Sequence, residues 1–355
     1  MTSPNDPLTV DRTHGGVDHE DFLDFSTSIN PLGPPPQAIE AYKNAAASIA
    51  LYPPPYPRGL ESRVADWLGI DSEWVIGANG STQLIYLVAR VLKLRSPWVV
   101  TPTFSEIANA LIAAGSTARS LQAVIENDFR LDLYAVRVAL RSGADAIFVG
   151  RPNSPTGNLV SLQEAAEIAA ECGRHNAWCI FDEAFIEFAE DPRSVVELVS
   201  SFPKLLVLRS LTKIFAIPGL RLGYLVGQPE YVTLLRDCIE PWSVNVAAEA
   251  VARACLTVAP GFIEKTRDFI ASERRKIEAG LSRLPKLRAF PSSANFIMVE
   301  AVNERGAGDF ARHLLGSGIV PRDLSALPGC GPGLYRLGIR SPQDNARFLT
   351  AAVSY

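Results

Sequence analysis

SLTKIFAIPGLRLGY (210–224) follows the apolar run LLVL (205–208), and the lysine inside it, Lys213, decides how the chain is read. LLVL has the composition of a buried strand. A lysine at the end of such a strand costs free energy unless it is paired, neutralised or covalently used. By itself Lys213 could also snorkel to solvent along its own methylenes, so its neighbours must separate the two readings.

Outward from this stretch, short apolar runs alternate with helical patterns. WVIGANG (74–80) reads as a strand entering a glycine turn, followed by the helix STQLIYLVARVLKL. WVVTPTF (98–104) precedes the helix SEIANALIAAG. The run ARSLQAV, a helix near 132–141, the strand AIFVG (146–150), the helix EAAEIAAECGRH (164–175) and the strand WCIFDEAF (178–185) complete the series before LLVLRS. Continuous apolar runs suit strands covered on both faces, and the intervening helices imply right-handed crossovers in a mostly parallel sheet. The expected fold class is therefore α/β, a large domain with a mostly parallel sheet flanked by helices. Beyond Val246 the pattern changes to a helix over about 259–283, then LRAF, ANFIMVE, a helix near 306–317, IVPRDL, LYRLGIR and a terminal helix, which suggests a smaller α+β domain. The expected boundaries are 1–35 for an N-terminal arm joining the small domain, 36–245 for the large domain and 246–355 for the small one. NPLGPPP (30–36) and LYPPPYPRG (51–59) read as extended arms.

Composition narrows the function. The 355 residues are 47% hydrophobic and 20% charged with a net charge of −4, which suits a soluble globular protein and argues against nucleic acid or an anionic membrane as partner. The five cysteines show no CxxC pair or zinc-like spacing, and the polar opening is no secretory leader, so reduced thiols and a cytoplasmic location are expected. No uninterrupted apolar run approaches the roughly 20 residues of a membrane span, and no metal site is supported.

GANGST, TPTF, DEAF and SLTK all fall at the ends of expected strands, where open parallel sheets bind ligands. GANGST (77–82) is a phosphate-cradle candidate, because free backbone N–H groups and the helix dipole converge there; alone it could be only a tight turn. Asp182 follows WCIF directly and needs a cationic partner or several donors, though a local turn could also employ it. Arg221 alone could be a surface residue. Together, a phosphate turn, a buried aspartate, a lysine between hydroxyls and an arginine downstream are what pyridoxal phosphate requires. His175, His313 and His19 read as structural or exposed, Glu183 and Glu187 as solvated or structural, and Trp242 as packing near the domain junction or, through its loop, bordering the site.

RPNSPTGN (151–158), FDEAFIEF (181–188) and SLTKIFAIPGLRLGY resemble the motifs of fold-type I aminotransferases that use pyridoxal 5'-phosphate, over nearly the whole chain. The histidinol-phosphate aminotransferase-like branch is the nearest resemblance. THGG (13–16), LDFSTSINPLGPP (23–35) and PWSVN (241–245) are similar to a decarboxylase group of cobalamin biosynthesis within that branch. By motif position, the resemblance implies that Lys213 binds the cofactor aldehyde and Asp182 faces the pyridine nitrogen. It further implies that Ser210, Thr212, Arg221 and the backbone of Gly80, Ser81 and Thr82 hold the cofactor phosphate, while Phe104 stacks on the ring. Tyr52 would reach the site of a neighbouring subunit in a homodimer. Arg336 would grip the substrate carboxylate, and Arg322 and His14 the substrate's own phosphate, with the arm around Asn30 helping to pin it.

Two departures stand out. Ser154 occupies the position of the asparagine that usually bonds the ring hydroxyl, with Asn153 one residue earlier; the contact is lost, bridged by water or supplied by Asn153. Phe185 stands where many members of the branch have tyrosine, which fits the decarboxylase group. The implied activity is conversion of L-threonine O-3-phosphate to (R)-1-amino-2-propanol O-2-phosphate and carbon dioxide. The alternative is an aminotransferase acting on histidinol phosphate or a related phosphorylated amine with 2-oxoglutarate. A third possibility, a cofactor-binding regulatory module, is disfavoured by the acidic charge and by the lack of a DNA-binding segment before residue 14.

Overall fold

The computed structural model describes residues 7–10, 14–16, 21–302 and 308–355. Strand β1 (Leu23–Asp24) lies in the N-terminal arm. The large sheet is formed by β2 (Val75–Ala78), β3 (Pro97–Thr101), β4 (Arg119–Gln122), β5 (Ala146–Gly150), β6 (Trp178–Asp182), β7 (Leu205–Ser210) and β8 (Gly223–Val226). Its order is β2-β8-β7-β6-β5-β3-β4, and β8 alone runs antiparallel to its neighbours. Both faces of this sheet are buried. Val149, Phe181 and Val207 point into one apolar layer, whereas Phe148, Ile180 and Leu206 point into the other. This two-sided burial is why the strands read as unbroken apolar runs.

The smaller C-terminal domain contains β9 (Leu287–Ala289), β10 (Phe296–Ala301), β11 (Ile319–Val320), β12 (Arg322–Asp323) and β13 (Leu334–Gly338). β12-β13-β10-β9 form an antiparallel sheet, and β11 pairs in parallel with β1. The arm thus touches both domains: Leu8 N donates to Ala118 O at 3.0 Å beside β4 of the large sheet, and β1 then pairs on the C-terminal domain. It then crosses to the large sheet, where Asn30 N donates to Lys213 O at 3.2 Å.

The long helix differs from the sequence expectation of 259–283: it runs Val246–Leu281 with Pro260 inside it. Asn245 caps its start by accepting from Ala248 N at 2.8 Å. A buried face including Ala252, Cys255 and Ala259 carries the helix through the proline, so tertiary packing outweighs the lost backbone bond. By length and composition this helix could cross a membrane. It nevertheless buries Glu249, Glu273 and Arg274 within the molecule, as a core helix does. Between the two proline-rich arms, the chain forms the helix Pro36–Ala45, and a second helix, Arg58–Leu68, follows them.

Candidate active site

The carboxyl ends of β2, β3, β5, β6 and β7 share one rim, and a cavity of about 240 Å3 lies there against the C-terminal domain. It is lined by His14, Ser81, Thr82, Phe104, Ser154, Asp182, Phe185, Ser210, Thr212, Lys213, Arg221, Arg322 and Arg336, among others.

Lys213 sits on the short helix Leu211–Ile214 directly after β7. Burial, aided by the charges of Arg336 and Arg221, lowers its amine from 10.5 to about 8. Asp182 ends β6 and accepts from Ala184 N at 3.0 Å. Burial raises its carboxyl from 3.8 to about 6, with the nearby Glu183 charge adding to the rise against the Ala184 bond. Among the described residues no cationic side chain pairs with Asp182, so a buried carboxylate is left facing the cavity.

The glycine turn ends in the helix Gly80–Leu92. Gly80 has φ +81°, and a Cβ there would lie 2.9 Å from Arg221 Nη2. The guanidinium is therefore laid against the helix N-terminus, and glycine permits both the turn and the approach. A Cβ on Gly223 would collide with Ser81 N. Ser210 Oγ and Thr212 Oγ1 are 2.8 Å apart on the same wall.

The C-terminal domain contributes two arginines. Arg322 and Arg336 are register partners across β12 and β13. Arg336 Nη1 donates to Ser154 Oγ at 2.8 Å and Nη2 to Ser26 O at 2.7 Å. Its Nε is buried without a partner, as is Ser28 Oγ. Burial, reinforced by Arg322, lowers the Arg336 guanidinium to about 10. His14 Nε2 lies 3.1 Å from Glu106 Oε1 at the mouth.

These residues fit pyridoxal phosphate. A phosphate would find backbone donors of the helix start, two hydroxyls and Arg221. A pyridine ring would have Phe104 beside it, and Asp182 is a carboxylate awaiting a cationic partner.

Four expected site residues lie outside the cavity lining: Gly80, which starts the helix behind Ser81, and Asn153, Asn30 and Tyr52. Asn153 is buried beneath it, with Nδ2 donating to Pro102 O at 2.8 Å and Thr156 Oγ1 at 2.9 Å and Oδ1 accepting from Thr103 Oγ1 at 2.7 Å. Its amide is committed to the loop, so it does not replace the missing asparagine at Ser154; that serine accepts from Arg336 instead. Asn30 donates to Ile214 O at 2.7 Å and Thr266 Oγ1 at 3.0 Å, bracing the Lys213 segment from behind. Tyr52 is 86% exposed and contacts Trp242, whose ring is 5.6 Å away and itself half-exposed rather than packed at a domain junction. His175 is exposed, His313 lies 2.9 Å from Ala351 O, and His19 lies outside the described residues.

A buried ionic cluster beneath the rim escaped the sequence reading. Arg151 Nη1 donates to Glu183 Oε1 at 2.7 Å, Arg209 Nη1 to Glu183 Oε2 at 3.4 Å, and Arg209 Nη2 to Glu187 Oε1 at 2.6 Å. Three of the four partners adjoin a cavity residue: Arg151 precedes Pro152, Glu183 follows Asp182, and Arg209 precedes Ser210. Strand alternation turns the cluster to the opposite face. Glu183, fully buried, and Glu187, nearly so, are thus structural and not solvated. Alternation at the ends of β5, β6 and β7 was the signal available in the sequence.

Comparison with known proteins places this geometry. Residues 20–351 match the profile of the family described as aminotransferase class I and II. A Caldanaerobacter subterraneus subsp. tengcongensis protein provisionally named a threonine-phosphate decarboxylase is 35% identical over 92% of this chain and 88% of its own length. The threonine-phosphate decarboxylase of Salmonella typhimurium is 34% identical over 95% of this chain and 92% of its own length. Among solved structures, the histidinol-phosphate aminotransferase from Clostridium acetobutylicum superposes with a TM-score of 0.86 at 26% identity, covering 94% of this chain and 98% of that one.

Proposed function

Given that the chain belongs to the aminotransferase class I and II family, we propose that it is a pyridoxal-phosphate-dependent lyase that decarboxylates L-threonine O-3-phosphate to (R)-1-amino-2-propanol O-2-phosphate. The observation that carries the reading is the Arg322–Arg336 pair on one cavity wall. A substrate with two anionic ends matches it, and the relatives named for the phosphothreonine reaction are 35% and 34% identical over nearly the whole chain.

Pyridoxal phosphate, when bound, supplies the electron sink that accepts the pair released as a bond to Cα breaks. The chain's residues do the rest. Arg336, held by Ser154 and Ser26, binds the substrate carboxylate. Arg322 and His14 receive the phosphate. Asp182 would supply the negative charge that holds the pyridine nitrogen. Lys213, with its amine near 8, is the residue that would hold the aldehyde, and its Nζ would carry the proton that replaces carbon dioxide on Cα. The rest of the lining excludes water and orients the substrate, and that orientation would select which bond to Cα breaks.

A second copy of the chain is the partner in this reading. Ile49 is 83% exposed, Leu51 66%, Tyr52 86% and Trp242 50%, an apolar cluster that suits a homodimer in which Tyr52 reaches the neighbouring site. Turnover of L-threonine phosphate, compared with unphosphorylated threonine and with histidinol phosphate plus 2-oxoglutarate, tests the assignment. Carbon dioxide release from L-threonine phosphate alone is expected. Amino transfer from histidinol phosphate would replace this reading with the transferase.

A further inference from the structure

The turn after β12 brings apolar side chains to the cavity beside Arg322. Alternate strand residues share a face; Arg322 and Leu324 both line the cavity, while Asp323 is exposed. Leu324 N donates to Leu334 O at 3.0 Å, and Leu327 N donates to Leu324 O at 2.9 Å, which coils Leu327 back onto the same wall. The turn is seated on the large domain: Gly329, at φ +86°, lies so close that a Cβ would be 2.9 Å from Pro102 N. Leu324 is 3% exposed and fixed within a small apolar cluster that includes Phe290 and Met298. Leu327 packs against that cluster from its edge.

We propose that Leu324 and Leu327 form an apolar wall that selects a phosphorylated β-hydroxy amino acid bearing a methyl on its phosphate-carrying carbon over the unbranched homologue. The inference rests on the reading that Arg322 receives the substrate phosphate. A phosphate at Arg322 places the ester-bearing carbon next to the residue two positions along the same strand face, which is Leu324. A methyl there loses water against leucine, whereas a hydrogen leaves the wall unfilled. One methyl in such a pocket changes specificity by on the order of 10- to 200-fold.

The experiment compares L-threonine phosphate with L-serine phosphate on the cofactor-loaded enzyme, as kcat/KM, and on the Lys213→Ala protein, as dissociation constants from calorimetry. At least about a 10-fold preference for the threonine ester is expected in kcat/KM. Leu327→Ala should collapse the ratio toward unity by weakening the threonine ester, and Leu327→Phe should reverse it by crowding the methyl. Arg322→Gln should weaken both esters and leave the ratio unchanged. A ratio near unity in the wild type, or one unmoved by both Leu327 variants, overturns the wall. Failure of the enzyme to release carbon dioxide would overturn the decarboxylase reading instead, and the dissociation constants would still test the wall.

Discussion

Arg322 and Arg336 stand directly opposite each other in the antiparallel pairing of β12 and β13. Like charges so placed repel, and among the described residues no carboxylate lies within ion-pairing distance of Arg336. The repulsion lowers the guanidinium of Arg336 to about 10, after burial itself. A wall built this way presents two positive charges to the cavity, which suits anionic groups.

Replacing Arg336 with glutamine should therefore cost substrate binding far more than folding. Truncating a buried charge that pairs with a ligand costs about 2–5 kcal/mol, so kcat/KM for L-threonine phosphate should fall by at least about 30-fold. The visible spectrum of the bound cofactor should stay unchanged. Steady-state kinetics beside an absorbance spectrum checks both; a lost spectrum would assign Arg336 to the cofactor.

Lys213 should make cofactor capture depend on pH. Its folded pKa is depressed from 10.5 to about 8. The preference for the neutral amine thus stabilises the folded chain above the unfolded value and is lost as pH falls through about 8. The rate at which cofactor-free protein takes up pyridoxal phosphate should rise with a midpoint near 8, followed by stopped-flow absorbance. A midpoint near 10.5 would show that the amine is not desolvated. Lys213→Ala should leave no cofactor fixed to the chain by borohydride and no catalysis.

Asp182 acts in the opposite sense on the cofactor-free protein. Burial raises its carboxyl from 3.8 to about 6, so its protonated form is favoured in the folded state. The associated stability is full below about 3.8 and is lost as pH rises through about 6. Urea midpoints of the wild type should fall relative to Asp182→Asn across this window and run parallel above it. Parallel behaviour throughout would mean that the carboxyl is solvated.

The motifs at the ends of β2, β3, β6 and β7 were legible because each is local: an apolar strand, then a polar residue at its carboxyl end. The insertion of β8 between β2 and β7 was not, since strand order depends on pairing between distant segments. Asn153 shows a similar limit. Its position next to Ser154 suggested a substitute ligand, but the loop turns its amide toward Thr103 and Thr156. Pro260 also misleads a local reading, because proline ends most helices, whereas burial on both sides of it keeps this one continuous.

Breaking the cluster beneath the rim should destabilise the whole protein. Arg151 and Glu183 are fully buried, and Arg209 and Glu187 are nearly so. Removing one member leaves an uncompensated charge, which costs about 3–5 kcal/mol. Arg209→Leu should lower the unfolding free energy from urea titration by that amount, measured on cofactor-free protein. A shift under about 1 kcal/mol, as for an exposed pair, would show that the cluster is hydrated.

The most direct measurement follows carboxyl-labelled L-threonine phosphate on the cofactor-loaded enzyme in deuterated water. One equivalent of labelled carbon dioxide per substrate is expected, with one deuterium on the former Cα of the amine product and the cofactor returned to its aldehyde state. Accumulation of the aminated cofactor, with the label retained in a keto acid, would contradict decarboxylation.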